Sequence, residues 1–544
     1  MFILSALQSR LKKATCLFVS LLMLFAESAG VGISLRGCYD SLMSLVSYSF
    51  YDPTVKINAV GPIDKTRDYT MYLALNEREA CQIAFRMRVD RSAMKISMTD
   101  FTDGQGNTLD AELYWEHYVQ TDSSAVINSS YPDALVPVTD ETTLTMRHET
   151  NRPFYISVRS DIDTVPGLYT AQIRFENTND DSAREAVTVE VKAHVWGFAL
   201  GQTPSCTTSM GLNRSQIAKA HGVAADSDEA QALYEAYYEF LVDHKISPYT
   251  IPVDLLSDEA DAYMSDPRIT SFVIPYSSDD ETLQRYWAKV SSNEAWAKKG
   301  YFYPIDEPSN EEHFTRYNEI TDRLQRLCPG YNMATPFFTK EVELNGEKTT
   351  GLELQKGRSN IICSASQLYA ERAHRTAVAD RVASGDRAWW YVCCAPMGDY
   401  CNLFTHWDGI KHRILFWQQK DYDVEGLLYW DTTYWKDVNY DPWSSAWTTP
   451  WTGPNTFGDG SLLYNGNKYG IDGPISSLRL EAVTNGIEDY EYLTLAEMLL
   501  GKAYTDKVIA KITKDLEHYT LDDAYFAAVR IELGNALEAA INAK

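Results

Sequence analysis

Between residues 55 and 198 apolar and polar positions alternate with a period of two, in short runs separated by turn residues. Residues 81–89, 95–98 and 112–115 read this way, followed by 154–158, 169–175 and 187–191. Successive strand side chains point to opposite faces, so the alternation predicts half-buried strands. Val165-Pro166-Gly167 supplies a turn between two of them. Many short strands at such spacing predict an immunoglobulin-like β-sandwich.

Near residue 200 the period changes. Gly201-Gln202-Thr203-Pro204 reads as a linker, after which strand-like runs alternate with helical ones. Strands are expected at 207–212, 248–253, 269–276, around Tyr301, and at 331–338, 360–364, 387–394 and 426–430. Helices are expected at 228–244, 280–298, 310–327, 370–383 and 406–419. Eight strands, most followed by a helix, predict a (β/α)8 TIM barrel, with Tyr301 on the fourth. An aromatic, Gly/Pro-rich loop at 435–474 precedes further helices at 478–500, 506–519 and 522–542. The expected organisation is a leader at 1–28, the sandwich at 29–198, the barrel at 199–500, and C-terminal helices at 501–544 packed on the barrel. The class is therefore multidomain, β followed by α/β.

The leader rests on Arg10, Lys12 and Lys13 followed by the apolar run 14–26, too short to span a bilayer but matched to a signal-peptide core. The expected location is secreted or periplasmic. A lipoprotein anchor at Cys38 has only the poor lipobox Leu35-Arg36-Gly37, and no integral membrane span is predicted. Removing 1–28 takes away three basic residues and one acid, so the net charge moves from −26 to −28. That balance argues against nucleic acid as a partner. The ten histidines and nine cysteines show no zinc spacing, and no metal is expected. Cys81, Cys363 and Cys393 fall in strand-like runs, where buried free thiols are the simpler reading.

Candidate chemistry concentrates at Asp306-Glu307, within Tyr301-Phe302-Tyr303-Pro304-Ile305-Asp306-Glu307-Pro308. The apolar run reads as a buried strand stopped by Pro308, and Ser309-Asn310-Glu311-Glu312 has the spacing of a capping box. Both acids then fall on a βα loop, where barrels build active sites. Two readings compete for Glu307: an acid favoured by the helix dipole, or a general acid with a pKa raised by burial. Consecutive strand residues face opposite ways, so both acids reach one pocket only if the chain turns there.

Among the aromatic residues (13 Trp and 35 Tyr), Trp430 at a strand end is the first candidate for a sugar platform. Tyr391, Asn402 and Tyr276 are further substrate-binding candidates. Asp431 reads as a substrate ligand, a second catalytic carboxylate or a cap. Glu481 and Glu488 share a helix face, with Tyr492 four residues beyond Glu488. An ion-pair network locking that helix is preferred there over catalysis, and Gly486 implies close packing.

Four segments together resemble glycoside hydrolase family 123 and its relatives carrying the domain of unknown function DUF4091. They are Asn76-Glu77-Arg78-Glu79-Ala80-Cys81-Gln82, Tyr303-Pro304-Ile305-Asp306-Glu307-Pro308, Gly426-Leu427-Leu428-Tyr429-Trp430, and the run from Pro474 through Arg479-Leu480-Glu481 to Gly486-Ile487-Glu488-Asp489-Tyr490-Glu491-Tyr492-Leu493. The resemblance implies a sandwich followed by a barrel, and a β-N-acetylgalactosaminidase-like enzyme cleaving a terminal 2-acetamido sugar of a glycan. It also implies substrate assistance without a cofactor: Asp306 orients the acetamido group and Glu307 is acid, then base. Two alternatives are a retaining glycosidase with an enzymic carboxylate nucleophile and a non-catalytic carbohydrate-binding surface protein.

Overall fold

The computed structural model describes residues 45–121, 130–179, 185–344, 346–435, 442–443 and 455–543. The expected leader and Cys38 lie outside them. No helix among the described residues is long and apolar enough to cross a membrane.

The N-terminal part is β-rich: five of the six predicted strand runs lie inside observed strands, and the first, 81–89, overruns its strand Arg78–Met87 by two residues. Instead of two separate sheets, the strands form one sheet of eleven, eight of them on a continuous path and three branching from it, that curls on itself. The reason is the strand Thr108–Gln120, whose 13 residues outlast any single partner. Its start pairs with Phe101–Thr102, and from Asp110 onward it pairs with Asn151–Arg159 and Ser130–Pro137. The two arms so joined face each other. Phe85 from one stacks on Phe175 from the other at 4.3 Å, with Phe154 edge-on to both. Aromatic rings packed in this way fill the space between facing sheets.

The following region is α/β. Parallel strands Thr207–Met210, Gly426–Tyr429, Arg387–Val392, Ile361–Ala365 and Ala334–Phe337 pair in that spatial order. Phe272–Ile274 and Gly300–Phe302 form a separate parallel pair. Single parallel bridges link the ends of these groups, Met210 to Pro248 and Phe302 to Met333, and the Val273 N–H donates to Tyr249 O at 2.6 Å. The expected second strand at 248–253 is reduced to that one bridge. The chain carries Pro248 and Pro252 there, neither of which has an N–H to donate.

Three local expectations need correction. The helix expected at 280–298 is two, Asp280–Ser291 and Glu294–Lys299, because Asn293 breaks the first and caps the second through bonds to Ala295 and Trp296 N–H. The N-cap of the helix Glu311–Leu327 is Asn310, not Ser309. The Asn310 side chain accepts the His313 N–H at 2.9 Å, while Ser309 turns to the His313 ring. The Tyr301 strand also ends at Phe302, well before Pro308.

The helix Leu478–Leu500 matches its predicted bounds, and every residue from Leu478 to Leu493 is buried. Carboxylates buried all round need partners, and each one here has them through at least one of its oxygens. Glu481 meets His244 at 3.0 Å and the Ser476 hydroxyl at 2.5 Å, and Glu488 meets Lys245 at 3.1 Å and the Arg78 N–H at 3.0 Å. Asp489 takes two guanidiniums, Arg413 from the helix Gly409–Asp421 and Arg530 from Asp523–Asn542, each at 2.7 Å. Arg530 also reaches Glu77 and Glu79 of the β-rich region. The acid-rich motifs thus tie the sheet to the helices.

Gly486 sits where this helix crosses the helix Gly409–Asp421. A β-carbon there would come within 2.2 Å of Phe416 Cδ2. Replacing Gly by Ala within a helix gains about 1 kcal/mol of intrinsic propensity, but overpacking a tight core costs about 1–3 kcal/mol. Gly486→Ala is therefore expected to destabilise, read as a lower urea midpoint. A raised midpoint would show that the crossing has slack.

Candidate active site

The acid pair follows the strand Gly300–Phe302 on a stretch without regular structure. Glu307 has φ of +43°, a left-handed backbone unusual for a residue with a side chain. That turn overrides strand alternation at this point, and strain of this kind collects at functional sites. The Tyr303 hydroxyl donates to Asp306 Oδ1 at 2.8 Å, and the Tyr391 hydroxyl donates to Glu307 Oε1. Tyr391 is at the C-terminal end of Arg387–Val392, and that strand pairs in parallel with both its neighbours. Its bond to Glu307 therefore joins two chain segments emerging from the same end of the sheet.

Burial pushes the Glu307 carboxyl above the usual carboxylate range; the Tyr391 hydroxyl pulls it back, and the neighbouring Asp306 charge raises it again. Asp306 is exposed at its surface, yet crowding around its carboxyl raises it too, opposed by the Tyr303 hydroxyl. Burial, with Glu307 alongside, keeps Tyr391 protonated well beyond ordinary phenols. Beneath the pair lies a buried apolar cluster that includes Tyr301, Cys363, Trp389, Tyr391 and Leu428, with Tyr249 and Tyr303 packed against it. Tyr249 meets Tyr303 edge-on at 5.9 Å, and its hydroxyl has no hydrogen-bond partner among the described residues.

A paired acid site of this kind does acid–base chemistry, and residues 281–496 match the family model "Glycoside hydrolase 123, catalytic domain". Over that stretch the chain matches the catalytic domain of family 123 glycoside hydrolases. The fold is similar to the solved structure of a family 123 glycoside hydrolase from Clostridium perfringens described for glycolipid glycan hydrolysis. That match has 12% identity and a TM-score of 0.64, and covers 91% of this chain and 98% of that one. The N-terminal domain of PorA (9% identity, 28% of this chain and 99% of that one, TM-score 0.16) carries no weight. Nor does a Listeria innocua β-glucosidase (11% identity, 29% of this chain and 17% of that one, TM-score 0.13). No curated protein matches the chain. The family assignment supports glycosidase activity on a glycan.

The other sequence candidates are placed as follows. Trp430 is half-buried just past Gly426–Tyr429, at the same sheet end as Tyr391. Its indole N–H donates to Asp459 Oδ1 at 3.0 Å, and its ring lies 4.9 Å from that of Tyr434. Gly460 fits against it closely, since a β-carbon there would fall 2.2 Å from the indole. Asp431 is buried, and one carboxyl oxygen accepts both the Thr433 N–H, at 2.8 Å, and its hydroxyl, at 3.2 Å. Burial raises Asp431 and Asp459 each to about 7, against their hydrogen bonds.

Asn402 is fully buried and its amide is spent on its own loop, donating to Cys393 O at 2.9 Å and Pro396 O at 3.0 Å. Tyr276 lies under Arg323, 5.2 Å from the guanidinium, beside the helix Glu311–Leu327. Neither has a contact with the acid pair among the described hydrogen bonds. Sequence reasoning missed Tyr303, Tyr249 and Asp459. Only Asp459 left a local trace, standing between Gly458 and Gly460, both at positive φ.

Tyr391→Phe removes the donor that favours ionised Glu307, so the Glu307 pKa should rise. If Glu307 must be protonated for the first step, the alkaline limb of the kcat/KM profile moves to higher pH. An unmoved limb would mean that this hydroxyl does not tune the acid.

Proposed function

We propose that the chain is an exported glycoside hydrolase removing a terminal 2-acetamido sugar from a glycan by substrate-assisted, retaining catalysis. In this reading it is β-N-acetylgalactosaminidase-like. The parallel strands and their bridges, taken as a circuit, are the (β/α)8 barrel of residues 199–500, and the curled sheet is a sandwich over 29–198. The helices of 501–544 pack on the barrel, and export rests on the apolar leader.

The observation that carries the reading is the left-handed turn at Glu307. It puts two adjacent acids in one site while Tyr303 and Tyr391 give each its own hydroxyl donor. Glu307, held above the usual carboxylate range, gives its proton to the glycosidic oxygen as the C–O bond breaks. The acetamido oxygen attacks the anomeric carbon from the opposite face and closes an oxazoline-type ring. Asp306 accepts the acetamido N–H, orienting the group and stabilising positive charge as it develops. Water, deprotonated by Glu307, then opens the ring and restores the starting anomer. Family-scheme exceptions of this type need no enzymic nucleophile. Consistent with that, Asp431, the other carboxylate considered, is buried and committed to Thr433.

Aryl glycosides with and without the 2-acetamido group test the reading. Turnover is expected only with the acetamido group present, and Asp306→Asn should lose most of it. Equal turnover of the matched 2-hydroxy glycoside would rule out substrate assistance.

A further inference from the structure

Cys393 and Cys394 follow the strand Arg387–Val392, and neither has a role in the scheme above. Neighbouring strand residues point to opposite faces. Here the chain leaves the strand at Val392 and bends, and the two sulfurs come to 3.7 Å of each other. The bend is held from behind: the Cys393 N–H donates to Ala395 O at 2.8 Å, and buried Asn402 clamps Cys393 O and Pro396 O. Both residues are only partly buried, whereas Cys81, Cys206, Cys328, Cys363 and Cys401 are buried. The pair is two and three residues beyond Tyr391, and Cys393 packs on the same cluster as Tyr391 and Tyr303. The Asp459 charge reaches both sulfurs, and that of Glu307 reaches Cys394.

We propose that Cys393 and Cys394 are a reversible dithiol modification site beside the Tyr391–Glu307 pair, oxidised by a low-molecular-weight disulfide such as glutathione disulfide. One thiolate attacks a glutathione sulfur and expels glutathione thiolate, leaving a mixed disulfide. The second thiolate attacks the protein sulfur of that bond and expels the other glutathione. Two cysteine thiols become one disulfide, one glutathione disulfide becomes two glutathiones, and the thiol protons pass to the two leaving groups. Contact with the Cys393 thiol lowers the pKa of Cys394 against the effect of burial, which favours Cys394 as the first attacker. Adjacent α-carbons are about 3.8 Å apart, below the roughly 4.4–6.8 Å that unstrained disulfides prefer. The product is therefore easily reduced. Closing the ring displaces the segment just after Tyr391 and disturbs the Tyr391–Glu307 bond.

The test treats the folded full chain with glutathione disulfide, then maps the tryptic peptide 388–411. The expected result is a loss of about 2 Da with no glutathione retained, reversed by dithiothreitol. Cys393→Ser should instead trap glutathione on Cys394. Phenylarsine oxide, which bridges paired thiols, should protect the reduced peptide from oxidation. An unmodified wild-type peptide, or a lasting mixed disulfide on it, overturns the proposal.

The activity arm rests on the glycosidase reading. Oxidation should lower turnover of the aryl 2-acetamido glycoside several-fold and reversibly, and Cys394→Ser should abolish that response. A disulfide that forms with turnover unaltered overturns the link to the acid pair. If neither form turns over any glycoside, the functional reading fails while the mass result still decides the thiol chemistry.

Discussion

Glu307→Gln is expected to lower kcat/KM on an alkyl or unactivated aryl 2-acetamido-β-galactoside by about 10²–10⁴-fold, the usual share of a general acid. Gln keeps the shape of Glu and still accepts a bond from the Tyr391 hydroxyl, so the fold and the left-handed turn should survive. The loss should then depend on the leaving group. A dinitrophenolate departs without a proton, so on that glycoside the first step should be largely spared. The defect there should pass to ring opening, where Glu307 serves as base, and an oxazoline-type intermediate should accumulate. A variant with equal losses on good and poor leaving groups would contradict the acid role. Full activity on both would remove Glu307 from the chemistry.

The acid pair was legible because its signal is local. An aromatic run, two adjacent acids and a proline fall within eight residues, and the capping residues follow directly. The details set by backbone geometry were not. Asn310, rather than Ser309, caps the helix, because either side chain can do so and the path of the chain decides. Sequence placed Tyr391 at a strand end among the candidates, but its bond to Glu307 spans 84 residues and exists only because parallel strands share one end. The six alternating runs were readable from their period. The sharing of Thr108–Gln120 between two arms of the sheet was not, since alternation says which face a residue occupies and nothing of its neighbour. Asn402 shows the converse error. A polar residue near aromatic strand ends looks like a sugar ligand, yet burial and two carbonyl partners give it to its own loop.

Asp489→Ala is expected to have the largest effect on stability. Its carboxylate is fully buried; burial alone would raise its pKa, but Arg413 and Arg530 outweigh that and hold it below the usual range. Trp417 adds an indole N–H at 2.9 Å. A buried ion pair gains little over an apolar substitute, because desolvation consumes most of the attraction; removing one partner alone is different. Alanine leaves two guanidiniums in a dry site with Glu77 and Glu79 as their remaining anions, a cost of about 3–5 kcal/mol. The surface pair Lys511–Glu532, with side chains 36% and 60% exposed, is the natural contrast. Breaking it should cost about 1 kcal/mol or less. Because Arg530 joins Glu77 and Glu79 of the sheet to Asp489 of the helix, the loss should appear as uncoupling as well as weakening. Urea unfolding followed by tryptophan fluorescence and by far-ultraviolet circular dichroism should separate into two transitions. A single transition, shifted no more than that of the surface variant, would show that the tie between sheet and helices lies elsewhere.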